Sequence, residues 1–361
     1  MGAVVLYDQK WFSSSYSEAR ARFLDLVSSE GGVHTELPIT ALGPDGGPLS
    51  IDIGWFGSLE AKRVILHISG THGVEGFAGS AIQLAAIANG ICTPGDADAV
   101  VFVHVLNPYG MAWVRRVNES NVDLNRNFIP DGSPYEGVSD GYEAMNSTLN
   151  PQSGPRFDFF LLRSLAKIVQ HGYSTLKQAI TEGQYVYPKG LFFGGQKLEE
   201  GPQKYLQWLE TALGHVESVC AIDVHTGLGK SGEDTLLIDA GKDDPVYQKL
   251  HSLFGDRIAP WDADQSIAYQ INGGHPAAVC RQLGHAKVDF ITQEFGTIAG
   301  LKVLYALRQE NRWHQWGDGH LKHSSKQGLL DAFGPGTDRW RVAVLHRGIE
   351  LLQQVQKQTF K

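Results

Sequence analysis

The sequence is poor in cysteine, and this shortage excludes two kinds of protein. Its 361 residues include three cysteines, Cys92, Cys220 and Cys280. An odd number at wide spacings excludes a disulfide framework and a cysteine-based zinc site, and it favours a reducing compartment. We expect each cysteine to be a small core residue.

Basic charge and long hydrophobic runs are also scarce. The formal net charge is −8, from 31 basic and 39 acidic residues. With no basic run, the composition excludes a nucleic-acid partner. No stretch approaches the roughly 18 apolar residues of a transmembrane helix, so no membrane partner is expected. The first residues, MGAVVLYDQKW, lack the positive start of a signal peptide, which makes the cytoplasm the expected location.

What the sequence does contain is a set of short, nearly continuous apolar runs. They lie at residues 63–70, 99–106, 218–225 and 288–296. Such runs are typical of strands buried on both faces of a parallel sheet, and helical patterns fill the gaps between them. We therefore predict an α/β fold with a mixed, mostly parallel central sheet and helices on both faces. Residues 1–361 are interpreted as a single domain, with a long surface loop over 130–155.

Acids and histidines follow these runs. His72 and Glu75 come after the first run, His225 ends the third, and Glu294 lies near the end of the fourth. Ligands of open α/β sheets bind at the carboxyl ends of strands, so these side chains are expected at one edge. The other notable histidines, His67, His104, His320 and His323, are interpreted as structural.

His72 and Glu75 are three residues apart, which places both side chains on one face if the chain turns into a helix there. An imidazole nitrogen and a carboxylate oxygen are ordinary zinc ligands, and catalytic zinc usually has three protein ligands and an open position. His225 is the best third candidate. The alternatives are that the His-x-x-Glu pair arises by chance and that His225 only caps the core.

The segment NPYGMAWVRRVNESNVDLNRNF, residues 107–128, adds a recognisable order of motifs. His-x-x-Glu, Asn-Pro-x-Gly, Arg-x-Asn, Val-Asp-Leu-Asn-Arg-Asn-Phe, Asp-x-His and a late strand glutamate follow one another. In this order the chain resembles the zinc carboxypeptidase superfamily, which includes aspartoacylase-like and succinylglutamate-desuccinylase-like enzymes. The similarity covers roughly residues 60–300 in patches and suggests a bacterial branch between the two groups.

The resemblance implies a centre with one Zn²⁺ per chain. His72, Glu75 and His225 would be the metal ligands. Asp123 would bond the free nitrogen of His72 and fix its tautomer. Glu294 would be the general base and acid.

The same resemblance implies how substrate is held. Arg116 would polarise the scissile carbonyl, and Asn125 with Arg126 would bind the substrate's terminal carboxylate. Two alternatives stay open: Arg126 as a structural ion-pair partner and Glu294 as a buried structural acid. Arg115 and Arg116 are adjacent, so only one of them is expected to face the site, and Arg115 is interpreted as a surface charge.

Three departures from the superfamily pattern concern specificity. NPYG stands where NPDG is usual, and DVHTG stands where Asp-x-His-Ser is commoner. The tyrosine that carboxypeptidases bring over the substrate has no clear equivalent here, and Tyr185, Tyr187 and Tyr269 are the candidates. The segment 185–196 is either a loop beside the substrate or a plain turn.

These observations leave three functions. The first is a metallocarboxypeptidase that removes the C-terminal residue of a peptide, which Asn125, Arg126 and Phe128 favour. The second is an aspartoacylase-like deacylase of N-acyl amino acids. The third is a non-catalytic ligand-binding protein, which the presence of three metal ligands and Glu294 disfavours.

Overall fold

The computed structural model describes residues 7–91, 93–156, 158–260 and 273–360. In these ranges the chain forms an eight-stranded sheet. The strands are β1 (Val33–Leu42), β2 (Pro48–Gly57), β3 (Arg63–Ser69), β4 (Asp98–His104), β5 (Ser218–Thr226), β6 (Asp234–Ile238), β7 (Ile258–Pro260) and β8 (Lys287–Phe295).

Twelve α-helices lie in the same ranges. They are α1 (Tyr16–Ser29), α2 (Gly76–Ala88), α3 (Pro108–Ala112), α4 (Asp140–Leu149), α5 (Phe160–His171), α6 (Tyr173–Thr181), α7 (Glu200–Leu213), α8 (Pro245–Phe254), α9 (His275–Gln282), α10 (Gly300–Trp316), α11 (Ser324–Phe333) and α12 (Asp338–Thr359). No helix of the described ranges is both long enough and apolar enough to span a membrane.

The strand order is β1-β2-β4-β3-β5-β8-β6-β7, and the four apolar runs of the sequence form its centre. Strands β4, β3, β5 and β8 are mutually parallel, while β1, β2 and β6 join the sheet through antiparallel pairs. The predicted mixed, mostly parallel sheet is confirmed. Because the central strands are parallel, the chain segments that leave them emerge at one edge.

Helices cover both faces of the sheet, as predicted. On one face α1, α2 and α12 pack against side chains such as Ile65 and Val100. On the other face, α7 and α9 pack against the strand residues next to these in sequence, such as Val64 and Val101. Alternate residues of each strand point to opposite faces, so continuous apolar runs supply both cores.

A third core lies beyond the carboxyl edge of the central strands. It includes residues of α4, α6, α10 and α11, such as Tyr142, Ile180, Leu307 and Phe333. We call α4, α5, α6 and α10 the helical cover. Its α4 corrects the prediction of a long surface loop over 130–155, because Tyr142 and Met145 are buried within that segment.

The cysteine prediction is correct for Cys220 and wrong for Cys280. Cys220 lies in the core beside the sheet, whereas Cys280 is exposed on α9. Cys280 falls on the outer side of a helix whose buried residues are His275, Pro276, Ala278 and Val279. Cys92 lies outside the described residues.

Candidate metal centre and its cavity

The loop after β3 brings His72 and Glu75 together. Gly73–Glu75 form one turn of 3-10 helix directly after His72. Gly73 has no side chain, and a Cβ there would lie 2.1 Å from the carbonyl carbon of Gly110, so only glycine permits this close approach. The backbone N–H groups of Gly73 and Val74 donate to the carbonyls of Arg116 and Arg115, at 3.1 and 2.8 Å.

His225 reaches the same point from the end of β5. The Nδ1 atoms of His72 and His225 are 3.1 Å apart. Glu75 Oε1 lies 3.0 Å from His72 Nδ1, and Glu75 Oε2 lies 3.3 Å from His225 Nδ1. Ligands about 2.1 Å from a tetrahedral ion stand roughly 3.4 Å from one another, so the three atoms need little movement to share one ion. All three side chains are buried.

The outer nitrogen of each histidine faces a carboxylate. His72 Nε2 lies 3.0 Å from Asp123 Oδ1, and His225 Nε2 lies 2.9 Å from Asp223 Oδ2. For His225 the carboxylate favours a proton on Nε2, which leaves the Nδ1 lone pair pointing to the shared site. At His72, Asp123 favours the same proton, whereas the Arg116 guanidinium 2.8 Å from Nε2 opposes it. The donor set of two nitrogens and one carboxylate therefore fits a zinc-type ion.

Asp223 is itself held from several sides. Thr71 Oγ1 donates to it at 3.0 Å, and His275 Nδ1 lies 2.8 Å from Oδ2. Burial opposes ionisation of Asp223, but His225 and His275 outweigh burial and hold the pKa of this carboxyl below its usual range. Asp223 thus remains an anion able to orient His225.

Glu294 lies beside the three ligand side chains without joining them. It pairs with His225 across β5 and β8, and the Leu228 N–H donates to its Oε1 at 2.8 Å. Burial, followed by the charge of Glu75, raises the pKa of Glu294 to about 7. A dication held by His72 and Glu75 would favour the carboxylate form and lower this pKa again.

Arg116 points towards the metal site. Its Nη1 donates to Glu75 Oε1 at 2.8 Å, its Nε donates to Asp123 Oδ2 at 3.1 Å, and its Nη2 lies 2.8 Å from His72 Nε2. Only one of the adjacent arginines was expected to face the site, and Arg116 is that residue.

Arg115 is not the surface charge that the sequence suggested. Its side chain is fully buried and donates to Glu310, Asn121 and Asn311 at 3.0, 2.9 and 3.1 Å. The correction has a physical reason: α10 supplies a buried carboxylate and amide that the sequence does not place near residue 115.

Asn125 and Arg126 lie in different surroundings. Asn125 lines the cavity beside the metal site, and its Oδ1 accepts from the His275 N–H at 2.9 Å. The Arg126 side chain has no exposed surface, and it donates to Asp123 Oδ2 at 2.6 Å and to the Thr181 carbonyl. Arg126 therefore holds Asp123 in place, and its role in substrate binding stays a prediction.

Two of the three tyrosine candidates, Tyr185 and Tyr187, do not line the cavity. The Tyr185 hydroxyl donates to the Arg126 carbonyl at 2.8 Å, and the Tyr187 hydroxyl donates to Glu143 at 2.6 Å. Tyr269 lies outside the described residues. The segment 185–196 contributes Phe192 to the cavity wall.

The metal site forms the floor of a cavity of about 130 Å³. Its polar floor includes His72, Glu75, His225 and Glu294, and its walls come mainly from the helical cover. The walls are largely apolar and include Met145, Ile168, Ile180, Leu301, Leu304 and Phe333. Such a concave, apolar chamber with few convergent polar groups is typical of a small-molecule site.

Sequence reasoning gave no role to Asp223, the aspartate of the Asp-x-His motif, and missed His275 and the polar wall residues Ser164 and Lys177. Asp223 had a usable signal, because residues two apart on a strand point the same way, and Asp223 precedes His225 by two. The other three come from helices whose packing over the site leaves no local mark in the sequence.

The fold and the site together define an α/β protein with a candidate metal centre at the carboxyl edge of its sheet. The chain belongs to the family described as "Protein of unknown function (DUF2817)", whose model matches residues 12–347. A search of curated proteins found no match.

Several solved structures are similar to this chain. Carboxypeptidase A from Helicoverpa armigera is 14% identical over 88% of this chain and 74% of that chain, with a TM-score of 0.47. A succinylglutamate desuccinylase from a Silicibacter species is 16% identical over 79% and 67%, with a TM-score of 0.39. Murein-tripeptide amidase MpaA from Escherichia coli O157 is 19% identical over 79% and 96%, with a TM-score of 0.38.

Proposed function

We propose that this protein is a metal-dependent hydrolase that cleaves an amide bond next to a carboxylate. The observation that supports this most strongly is the convergence of His72, Glu75 and His225, with a carboxylate behind each histidine and Glu294 beside them. Zinc suits the two nitrogens and one oxygen, although other divalent ions also bind such ligands.

The chain's own residues supply the remaining parts of the reaction. A metal ion in the site would lower the pKa of a bound water and polarise the scissile carbonyl. Glu294 would take the proton from the attacking water and pass it to the leaving amine. Arg116 would donate to the oxygen on which negative charge develops. Asn125, on the cavity wall, would orient the substrate.

The first candidate reaction is carboxypeptidase activity, which the DLNRNF motif favours through its resemblance to that superfamily. The second candidate is hydrolysis of a small N-acyl amino acid, as in aspartoacylase-like enzymes. One observation favours the second: α4, α5, α6 and α10 all contribute to the cavity wall, and an extended peptide needs an open groove instead.

The test compares wild-type protein with Glu294→Gln, after zinc loading, on blocked dipeptides and N-acyl amino acids. We expect the variant to keep its metal and to lose about 10²- to 10⁴-fold in kcat. Glu199→Gln is the matched control, because Glu199 and Glu294 are both 7% exposed and Glu199 does not line the cavity. Unchanged turnover in Glu294→Gln would overturn the assignment of the base.

A further inference from the structure

The floor of the cavity is acidic, which raises the question of how it accepts a substrate that carries a carboxylate. Glu75 and Glu294 line the cavity, and Asp123 lies directly behind His72. A metal ion in the site and Arg116 would offset these charges at the floor. A further cation that holds the substrate's carboxylate would have to come from the cavity wall.

The two arginines predicted from the sequence are already engaged. Arg126 is fully buried, bonded to Asp123 and Thr181, and absent from the described lining of the cavity. Arg116 donates to Glu75 and Asp123 at the floor. Arg126 is therefore committed to these contacts outside the described cavity lining, and Arg116 is the arginine of that lining, held at the floor.

Lys177 is the other cationic side chain among the described lining residues. It lies on α6, where Lys177, Ile180 and Thr181 are three and four residues apart and share one helix face that lines the cavity. The side chain is half-buried. Burial lowers the pKa of Lys177, and the charge of Glu294 opposes this shift, which places the two groups within electrostatic reach.

Ser164 provides a second, independent sign of a ligand on the same wall. It lies on the neighbouring helix α5, is 2% exposed, and lines the cavity. Among the described residues its Oγ has no hydrogen-bond partner. A buried hydroxyl without a partner is costly, so a group that enters the cavity and bonds to it gains that energy.

We propose that Lys177 is the cation that binds the substrate's carboxylate, and that the surrounding apolar wall binds an aliphatic or aromatic side chain of the same substrate. The substrate class is thus an N-acylated or peptide-bound apolar amino acid. This inference rests on the proposed function, and it moves the carboxylate contact from Arg126 to a residue of the helical cover. Ile180 and Leu304 are among the apolar residues of that wall.

The experiment uses substrates with and without the negative charge. N-acetyl-L-phenylalanine, benzoylglycyl-L-phenylalanine and their carboxamides are compared, together with the glycine analogues, on zinc-loaded wild type, Lys177→Met and Lys177→Arg. Lys167→Met is the matched control, because Lys167 is a half-buried lysine of α5 that does not line the cavity.

We expect Lys177→Met to raise KM for the acids by about ten- to a hundredfold, the range for a lost hydrogen bond to a charged group, while kcat and the carboxamide values change little. Lys177→Arg should restore part of the loss, and phenylalanine substrates should be preferred over glycine ones. Equal KM values for the acids in wild type and Lys177→Met would overturn the role of Lys177. Equal use of phenylalanine and glycine substrates would overturn the apolar subsite.

Failure of the proposed function gives a different result. If wild type hydrolyses none of the substrates, amide hydrolysis is contradicted, and calorimetric binding of N-acetyl-L-phenylalanine to the same proteins decides the inference. Binding that weakens about ten- to a hundredfold in Lys177→Met, but not in Lys167→Met, supports the carboxylate contact. No binding, or equal binding by both variants, overturns it.

Discussion

Two aspartates set the orientation of the candidate metal ligands. Asp123 faces His72 and Asp223 faces His225, in each case through Nε2 at 3.0 and 2.9 Å. The two aspartates come from unlike places, one at the start of a 3-10 turn and the other inside β5. Asp223 lies inside a strand, where a substitution disturbs the backbone less than at the start of a turn. Substitution of Asp223 is therefore the easier of the two to interpret.

Asp223→Asn should weaken zinc binding by about 10- to 100-fold, because the amide no longer stabilises the Nε2–H of His225 by charge. Competition with a chromogenic chelator measures this affinity. Asp234→Asn is the control: Asp234 is another buried strand aspartate, but it is bonded to Arg257, Arg347 and Gln293. An affinity in Asp223→Asn equal to that of this control would contradict the orienting role.

Residue spacing predicts most of the site. The three-residue spacing of His72 and Glu75 and the strand-end position of His225 were sufficient to place them together, since both depend on local geometry. The position of Arg126 could not be predicted, because its burial depends on Thr181, which lies 55 residues further along the chain.

At the scale of elements, the helical cover is joined to the ligand loop by a buried ion network. Glu310 of α10 accepts from Arg115 Nε at 3.0 Å and from Lys326 Nζ of α11 at 2.6 Å. All three side chains are buried, and the Arg115 carbonyl accepts from Val74 in the ligand loop. The network thus links two helices above the cavity to the segment that positions His72 and Glu75.

Glu310→Ala should lower the free energy of unfolding by about 3–5 kcal/mol, since it leaves Arg115 and Lys326 buried without their carboxylate. Denaturant unfolding of the two proteins gives the value. Asp331→Ala, an exposed carboxylate of α11, should change it by no more than about 0.5 kcal/mol. A loss of similar size in both variants would argue against a stabilising network.

The helical cover contains an element that the sequence pattern did not predict. The strands β3, β4, β5 and β8 could be predicted from continuous apolar runs, because that pattern does not depend on a distant partner. Helix α4 could not be predicted in this way, because Gly, Ser, Pro and Asn dominate the residues around it and its burial comes from contact with α6 and the core of the cover.

At the scale of the whole molecule, the parallel centre of the sheet buries two histidines as well as presenting others at its edge. His67 and His104 lie inside β3 and β4 with no exposed surface, as the sequence predicted. Burial lowers the pKa of His67 to about 4 and that of His104 to about 3. Both are therefore neutral in the folded protein at pH values where an unfolded histidine is charged.

The free energy of unfolding should therefore decrease as the pH is lowered. Because the folded pKa of His67 lies below the unfolded value of about 6.5, its contribution is complete above pH 6.5 and is lost as the pH falls towards 4. Between pH 7.5 and 5, wild type should lose about 2 kcal/mol more unfolding free energy than His67→Gln. Urea unfolding of both proteins with chelator present at the two pH values measures the difference, and equal losses would contradict it.

We propose that His72, Glu75 and His225 hold one catalytic metal ion. Elemental analysis tests this on purified wild type, His72→Ala and the control His285→Ala, a surface histidine away from the cavity, after supply of zinc and removal of excess. We predict about one zinc per chain in wild type and His285→Ala and a loss of most of it in His72→Ala. Wild-type protein without stoichiometric metal, or His72→Ala protein that keeps its metal, would contradict the assignment of these three residues as metal ligands.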